Sequence, residues 1–286
     1  MKNAPQRLVL LGPGLTWLAV FLVIPLGLVF VYSFFQRGTF GGIVYDFTLE
    51  NYTRVVEPLF LTIFVDSLRI AAITTALALL IGYPAAYFIA TGSPNWRTPL
   101  LALVVLPFWT SYLIRTYAWI VLLNREGLIN RVLLNLGVIA QPLDLLYNEF
   151  AIILGLLSGY LPFMILPLYA SIERLQPELR EAAANLGAPP WKVFFTISLP
   201  LTLSGVIAGV IFVFVPSMGN FFVPELLGGG RQIMAGNLIR DQFLKARDWP
   251  FGSTLAFGLM GVIMILLLIQ AWLVNRTRQE ISVDVR

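Results

Sequence analysis

The sequence predicts an all-α integral membrane protein of six transmembrane helices. Two observations carry that reading. Of 286 residues, 58% are hydrophobic and only 12% charged, where a soluble domain carries about 25% charged residues. The apolar residues also fall into uncharged runs long enough to cross a bilayer, which takes about 20 residues. With a mean hydropathy of +0.82, no part of the chain reads as a separate soluble domain.

The runs come in order. Leu8 to Phe35 has no charged residue, nor has Ile70 to Ala90. Thr98 to Leu123 carries one, Arg115. Phe150 to Ile172, Val193 to Pro224 and Trp249 to Asn275 carry none. Spans are therefore expected near 9–35, 66–90, 99–123, 149–171, 201–225 and 252–275, with a loop at 172–200, all in one domain over 1–286. The first run is too long for a signal-peptide core of about 7–15 residues, and no A-x-A site follows it. It is expected to stay as the first helix. Pro25, Pro84, Pro107, Pro162, Pro167 and Pro216 sit in or near the spans, where neighbouring helices can re-satisfy freed backbone groups. Gly155 with Gly159, and Gly205 with Gly209, have the spacing that lets helices approach closely.

The composition excludes several chemistries. There is no Cys and no His, which removes disulfides, thiol nucleophiles, imidazole bases and Cys/His metal sites. No phosphate-binding G-x-x-x-x-G-K-[ST] run occurs. The net charge of +4 is diffuse and gives no nucleic-acid surface. No catalytic residue and no metal ligand are expected. Basic residues divide almost evenly between the two sides of the membrane, so the positive-inside rule leaves orientation open.

The loop before the fifth run is different in character. Arg174 to Gly187 reads RLQPELREAAANLG. Leu175, Leu179, Ala182 and Leu186 recur on one helical face. Pro177 suits a first turn, with Glu178 and Glu181 near the positive end of the helix dipole. Gly187 fits a C-terminal stop, with Pro189 and Pro190 beyond it. A short, sharply bounded helix is expected, returning to the membrane through Trp191 to Pro200.

Within it, Glu181-Ala182-Ala183 is followed after three residues by Gly187, after nine more by Ile197, and after one more by Leu199-Pro200. This spacing resembles the EAA motif of the membrane subunits of bacterial binding-protein-dependent ABC importers, and every one of its positions matches. The resemblance implies the type I permease fold of those importers. It also implies that the loop is cytoplasmic, as are both termini, and that its helix docks on an ATPase subunit through Glu181, Ala182, Ala183 and Gly187. ATP would then be bound by the partner, and the chain needs no cofactor of its own. Two ATPase subunits, a second permease subunit of paralogous sequence and an extracytoplasmic substrate-binding protein are the implied partners, in the bacterial inner membrane.

Further stretches narrow the likeness. LPFWTSYLIRTYAW (Leu106 to Trp119), RDWPFG (Arg247 to Gly252), SIERLQPELREAAANLGA and GVIAG resemble the permease subunits of spermidine/putrescine importers. That resemblance covers Asn51 to Asn275. A polyamine path should offer carboxylates and ring faces, since rings attract ammonium groups by about 0.5–2 kcal/mol each. Glu225, Phe222, Asp66, Trp109 and Tyr112 are the candidate path residues. In the implied orientation Asp66, Arg69, Arg115 and Glu225 all lie towards the outer side. They read either as an outer gate or as ion pairs that brace the helices. Two alternatives stay open at this point. The same kind of permease could carry another solute, such as iron, an inorganic anion, an amino-acid derivative or a phosphonate. The chain could also be a secondary transporter that works without ATPase subunits.

Overall fold

The computed structural model describes residues 12–283. Helices α1 (Gly12–Tyr32), α3 (Pro58–Thr91), α7 (Glu149–Glu173) and α13 (Trp249–Val283) are long and apolar enough to span a bilayer. Two bent pairs bring the number to six: α4 (Pro94–Trp109) with α5–α6 (Tyr112–Asn135), and α9 (Pro190–Leu201) with α10 (Leu203–Gly219). Between them lie α2 (Glu50–Val55), α8 (Pro177–Asn185), α11 (Phe222–Leu227) and α12 (Ala235–Leu244).

Three of the expected spans need correction. The first part of the first span, 9–11, lies outside the described residues. The second helix starts at Pro58 rather than 66, because the apolar residues Leu59 to Val65 extend it. The third span is not one helix. It breaks by 90° at Thr110 and Ser111, whose ψ angles of 142° and 134° are extended, just after Pro107. The fifth is broken twice. It bends by 69° at Thr202 and ends at Gly219, so Glu225 lies in the separate helix α11. One element was not expected: an antiparallel hairpin of β1 (Phe35–Arg37) and β2 (Ile43–Phe47).

The chain divides into two compact units. One holds the described residues up to Thr62 together with Leu238–Met264. Its fixed point is Asp248, 1% exposed, which pairs with Arg54 at 3.1 Å and accepts a hydrogen bond from Phe251 N–H at the start of α13. The Arg54 guanidinium also lies 3.9 Å from the Phe251 ring centre. The RDWPFG stretch is thus the cap of the last span. Asn51 donates to the Ser33 and Phe35 carbonyls and ties α2 to the hairpin.

The other unit holds Ile63–Asn237 and the chain from Ile265 on. Its core has two apolar clusters. One gathers Ala78, Ala86, Met164, Ile165, Leu168 and Val213. The second gathers Ile70, Leu123, Ile152, Leu156, Val223 and Leu227. The glycines act as spaced: a Cβ on Gly205 would stand 2.5 Å from Ser171 Cβ and 2.8 Å from the Pro167 carbonyl oxygen, and one on Gly209 2.5 Å from Met164 Sδ. With no hydrophobic drive between helices in lipid, this closeness is what holds α10 on α7.

Candidate functional site

The loop after the fourth span folds as its sequence implies. Pro177 sits in the first turn of α8 with Glu178 beside it. At the other end Gly187 has φ +80°. Ala188 N–H bonds to the Ala183 carbonyl and Gly187 N–H to the Ala184 carbonyl, the pair of bonds that closes a Schellman stop. Glu181 and Ala182 are exposed and Ala183 is half-buried. Leu179 is 44% exposed and Leu186 89%. A short helix therefore presents small, apolar and acidic residues that this chain leaves uncovered. Its other side is held, because Arg180 Nη1 donates to the Tyr87 hydroxyl at 2.9 Å.

The path residues divide. Tyr112 and Phe222 come together, with ring centres 6.2 Å apart, and Tyr112 also faces Tyr160 at 6.4 Å. Both flank span breaks, Tyr112 after the break of the third and Phe222 after that of the fifth. Glu225 is exposed in the first turn of α11, three residues beyond Phe222. Trp109 is 84% exposed at the other lip of the third span's break and makes no ring pair within this chain among the described residues. Asp66 stands apart from that group. It lies 3.7 Å from Arg69, which pairs more closely with Glu149 at 2.7 Å. This is the bracing arrangement, joining α3 to the start of α7.

Asn220 is the residue that sequence reasoning missed. Its Nδ2 donates to the Tyr112 and Tyr160 hydroxyls at 3.0 and 2.8 Å. Its Oδ1 accepts from Phe222 N–H and Val223 N–H. Four bonds use an amide's two donors and two acceptor sites, so Asn220 braces rather than binds. The break centres on Asn220, between Gly219 at the end of α10 and the start of α11, within which Pro224 lies. The available signal was an amide inside an uncharged run, since polar groups at that depth are costly unless they have work. Tyr160 lies 11 residues into α7, or about 16 Å along it at 1.5 Å per residue. The Tyr112–Tyr160–Asn220 group thus lies near the middle of α7. Arg115 lies over the Tyr112 ring at 5.7 Å, and its Nε and Nη1 are buried without hydrogen-bond partners among the described residues. Ring faces beside broken helices can hold an ammonium group weakly. Among the described residues no group of three or more His, Cys, Asp or Glu side chains could hold a metal ion.

Residues 15–279 match the family described as binding-protein-dependent transport system inner membrane component. The chain is 44% identical over 261 residues to the spermidine/putrescine transport system permease protein PotB of Haemophilus influenzae, covering 91% of each chain. It is 42% identical to the protein of the same name from Escherichia coli K12, covering 91% of this chain and 94% of that one. In three dimensions it is similar to a chain of a bacterial alginate ABC transporter solved with a periplasmic protein bound to alginate pentasaccharide. The TM-score is 0.73 at 18% identity, over 96% of both chains. At that identity the likeness is one of fold.

Proposed function

Because the chain belongs to the family of binding-protein-dependent transport system inner membrane components, we propose that it is a permease subunit of an ABC importer for spermidine and putrescine. The observation that carries the cargo is the 44% identity to the Haemophilus permease over 91% of the chain. The chain is a multi-pass membrane protein and not an enzyme, and the energy comes from ATP hydrolysed by a separate subunit. We place α8 at the cytoplasmic face, with both termini on that side, in a bacterial inner membrane. The working assembly is two ATPase subunits, this permease, a paralogous permease and an extracytoplasmic binding protein. The uncovered α8 face supports the ATPase contact. Its small residues allow close approach, Leu186 supplies apolar area, and Glu181 offers a carboxylate to a donor across the interface.

The experiment that tests this reading is reconstitution in proteoliposomes. Spermidine uptake is expected with loaded binding protein and ATPase subunits, and not without the ATPase. Uptake that persists without it would show a secondary transporter. Purified alone, the chain is expected neither to bind nor to hydrolyse ATP in equilibrium dialysis. Specific binding there would overturn the division of labour.

Cargo released by the binding protein meets Glu225 and Phe222 on α11, then the Tyr112 ring at the break of the third span. Trp109 flanks this route, and Asp66, paired with Arg69, is a separate candidate on the outer side. Weak, successive contacts suit passage, since a cage would retain the cargo. Glu225→Gln keeps the size and removes the charge. Uptake is expected to fall about tenfold, the effect of losing roughly 1.4 kcal/mol of charge-assisted contact. Assembly and melting temperature should stay as in the wild type. A fall in assembly that Arg115→Gln repairs would instead make Glu225 a structural partner of Arg115.

A further inference from the structure

We infer that Tyr87 and Tyr83 of α3 tether the coupling segment at both of its ends, so that movement of α8 is passed to the second span as well as to the spans on either side of the loop. The inference rests on the permease reading above.

The geometry is local and specific. Tyr83 and Tyr87 are four residues apart on α3 and therefore share one face. At the near end of the segment, Arg180 in α8 donates to the Tyr87 hydroxyl at 2.9 Å, and its guanidinium lies 5.6 Å from the centre of the same ring. At the far end, the Tyr83 hydroxyl meets Thr202 Oγ1 at 2.9 Å. Thr202 is the residue at which the chain bends by 69° into α10. The Phe194 ring stands edge-on to Tyr83 at 5.2 Å, which fixes that ring against the same segment. Two phenols of one helix thus hold the start of the coupling helix and the hinge through which the loop re-enters the membrane.

Room for motion is also present. A cavity of about 340 Å³ lies between α8, α9 and α3, lined by Tyr87, Pro177, Arg180, Glu181, Phe194 and Ser198. Arg180 reaches across it to Tyr87. A helix packed flush on α3 would need no such strut. A helix standing off it transmits force through the strut. Arg is suited to this, because its planar head makes a directed hydrogen bond and a ring contact together.

α3 has the shape to carry the movement. It runs unbroken through Pro84 from Pro58 to Thr91. Arg69, which joins α3 to Glu149 at the start of α7, lies 18 residues before Tyr87, about 27 Å away at 1.5 Å per residue. That is close to the hydrocarbon thickness of about 30 Å. A displacement at Tyr87 is therefore felt at the ion pair on the opposite side of the membrane. The two ends of α3 are linked by one rigid element, which is the physical condition for coupling between distant sites.

The test measures ATP hydrolysed per spermidine imported by the full complex with loaded binding protein, in proteoliposomes, with wild type as the control. Tyr87→Phe removes only the hydroxyl, and Arg180→Gln removes the charge and the fork. Each is expected to raise the ATP cost per spermidine about 5-fold or more, the lower end of typical coupling between sites. Complex yield and melting temperature should not change. The double variant is expected to be no worse than either single one, because both remove the same contact. Arg180→Lys should restore part of the coupling, since an ammonium can still reach the hydroxyl. An unchanged ATP cost in both single variants would overturn the tether. So would a loss of uptake that follows complex yield while the ATP cost stays constant, which marks a brace. A wild-type control that hydrolyses ATP but imports no polyamine would overturn the cargo reading, and ATPase stimulation by the binding protein would then still report on the tether.

Discussion

Gly187→Val is expected to abolish import, with uptake down by more than tenfold and capture of cargo by the binding protein intact. The effect comes from the backbone and not from crowding. A Cβ at Gly187 meets nothing within 4 Å, but φ is +80°. A residue with a Cβ pays about 1–2 kcal/mol in that region, and a β-branched one more. The strain falls on the bonds from Gly187 and Ala188 back to Ala184 and Ala183, so relieving it unwinds the end of α8 and turns Leu186 away from its docking direction. Gly187→Asn is the control, because Asn tolerates the left-handed region. It should retain most of the uptake. Transport by Gly187→Val at the wild-type level, with normal assembly, would remove α8 from the coupling path.

The second large effect is on assembly. Gly205→Leu is expected to lower complex yield about tenfold or more, and even Gly205→Ala should be destabilising by about 1–3 kcal/mol, the usual range for overpacking. A Cβ there stands 2.8 Å from the Pro167 carbonyl oxygen, and backbone in the middle of α7 has nowhere to go. Gly209→Ala should cost less. Its nearest neighbour is Met164 Sδ at 2.5 Å, the far end of a flexible side chain, while the Met164 carbonyl oxygen is 3.3 Å away. Thermal melting of the purified complex gives the order. A Gly209→Ala melting temperature below that of Gly205→Ala would show that backbone contact does not set the limit between α7 and α10.

The loop at 172–200 was legible because its signals act at short range. Pro177 starts the helix and Gly187 stops it, each through bonds within five residues. Helices α7 and α13 were legible because an uncharged run over 20 residues long has few alternatives. The breaks at Thr110–Ser111 and Asn220 were not. Hydropathy averages over a span and does not register two extended residues inside it. The partners that make Asn220 a brace lie 108 and 60 residues away. For the same reason the sequence grouped Asp66 and Glu225 as outer carboxylates, while the structure sets Asp66 beside Arg69, which is bonded to Glu149 across 80 residues. The β1–β2 hairpin escaped because it is closed by Asn51 and by Arg37, which donates to the carbonyl of Ala246, and neither contact has a local pattern.

The saturated amide of Asn220 has a kinetic consequence. A helix interrupted in hydrocarbon normally leaves backbone donors and acceptors that cost several kcal/mol each. Here the next helix's first N–H groups are already answered by Oδ1, so the interruption stands ready before any cargo arrives. On the path proposed above, no polyamine needs to unwind a helix to pass. The activation enthalpy of import should therefore match that of ATP turnover over a range of temperatures, with no added component from local melting of the fifth span.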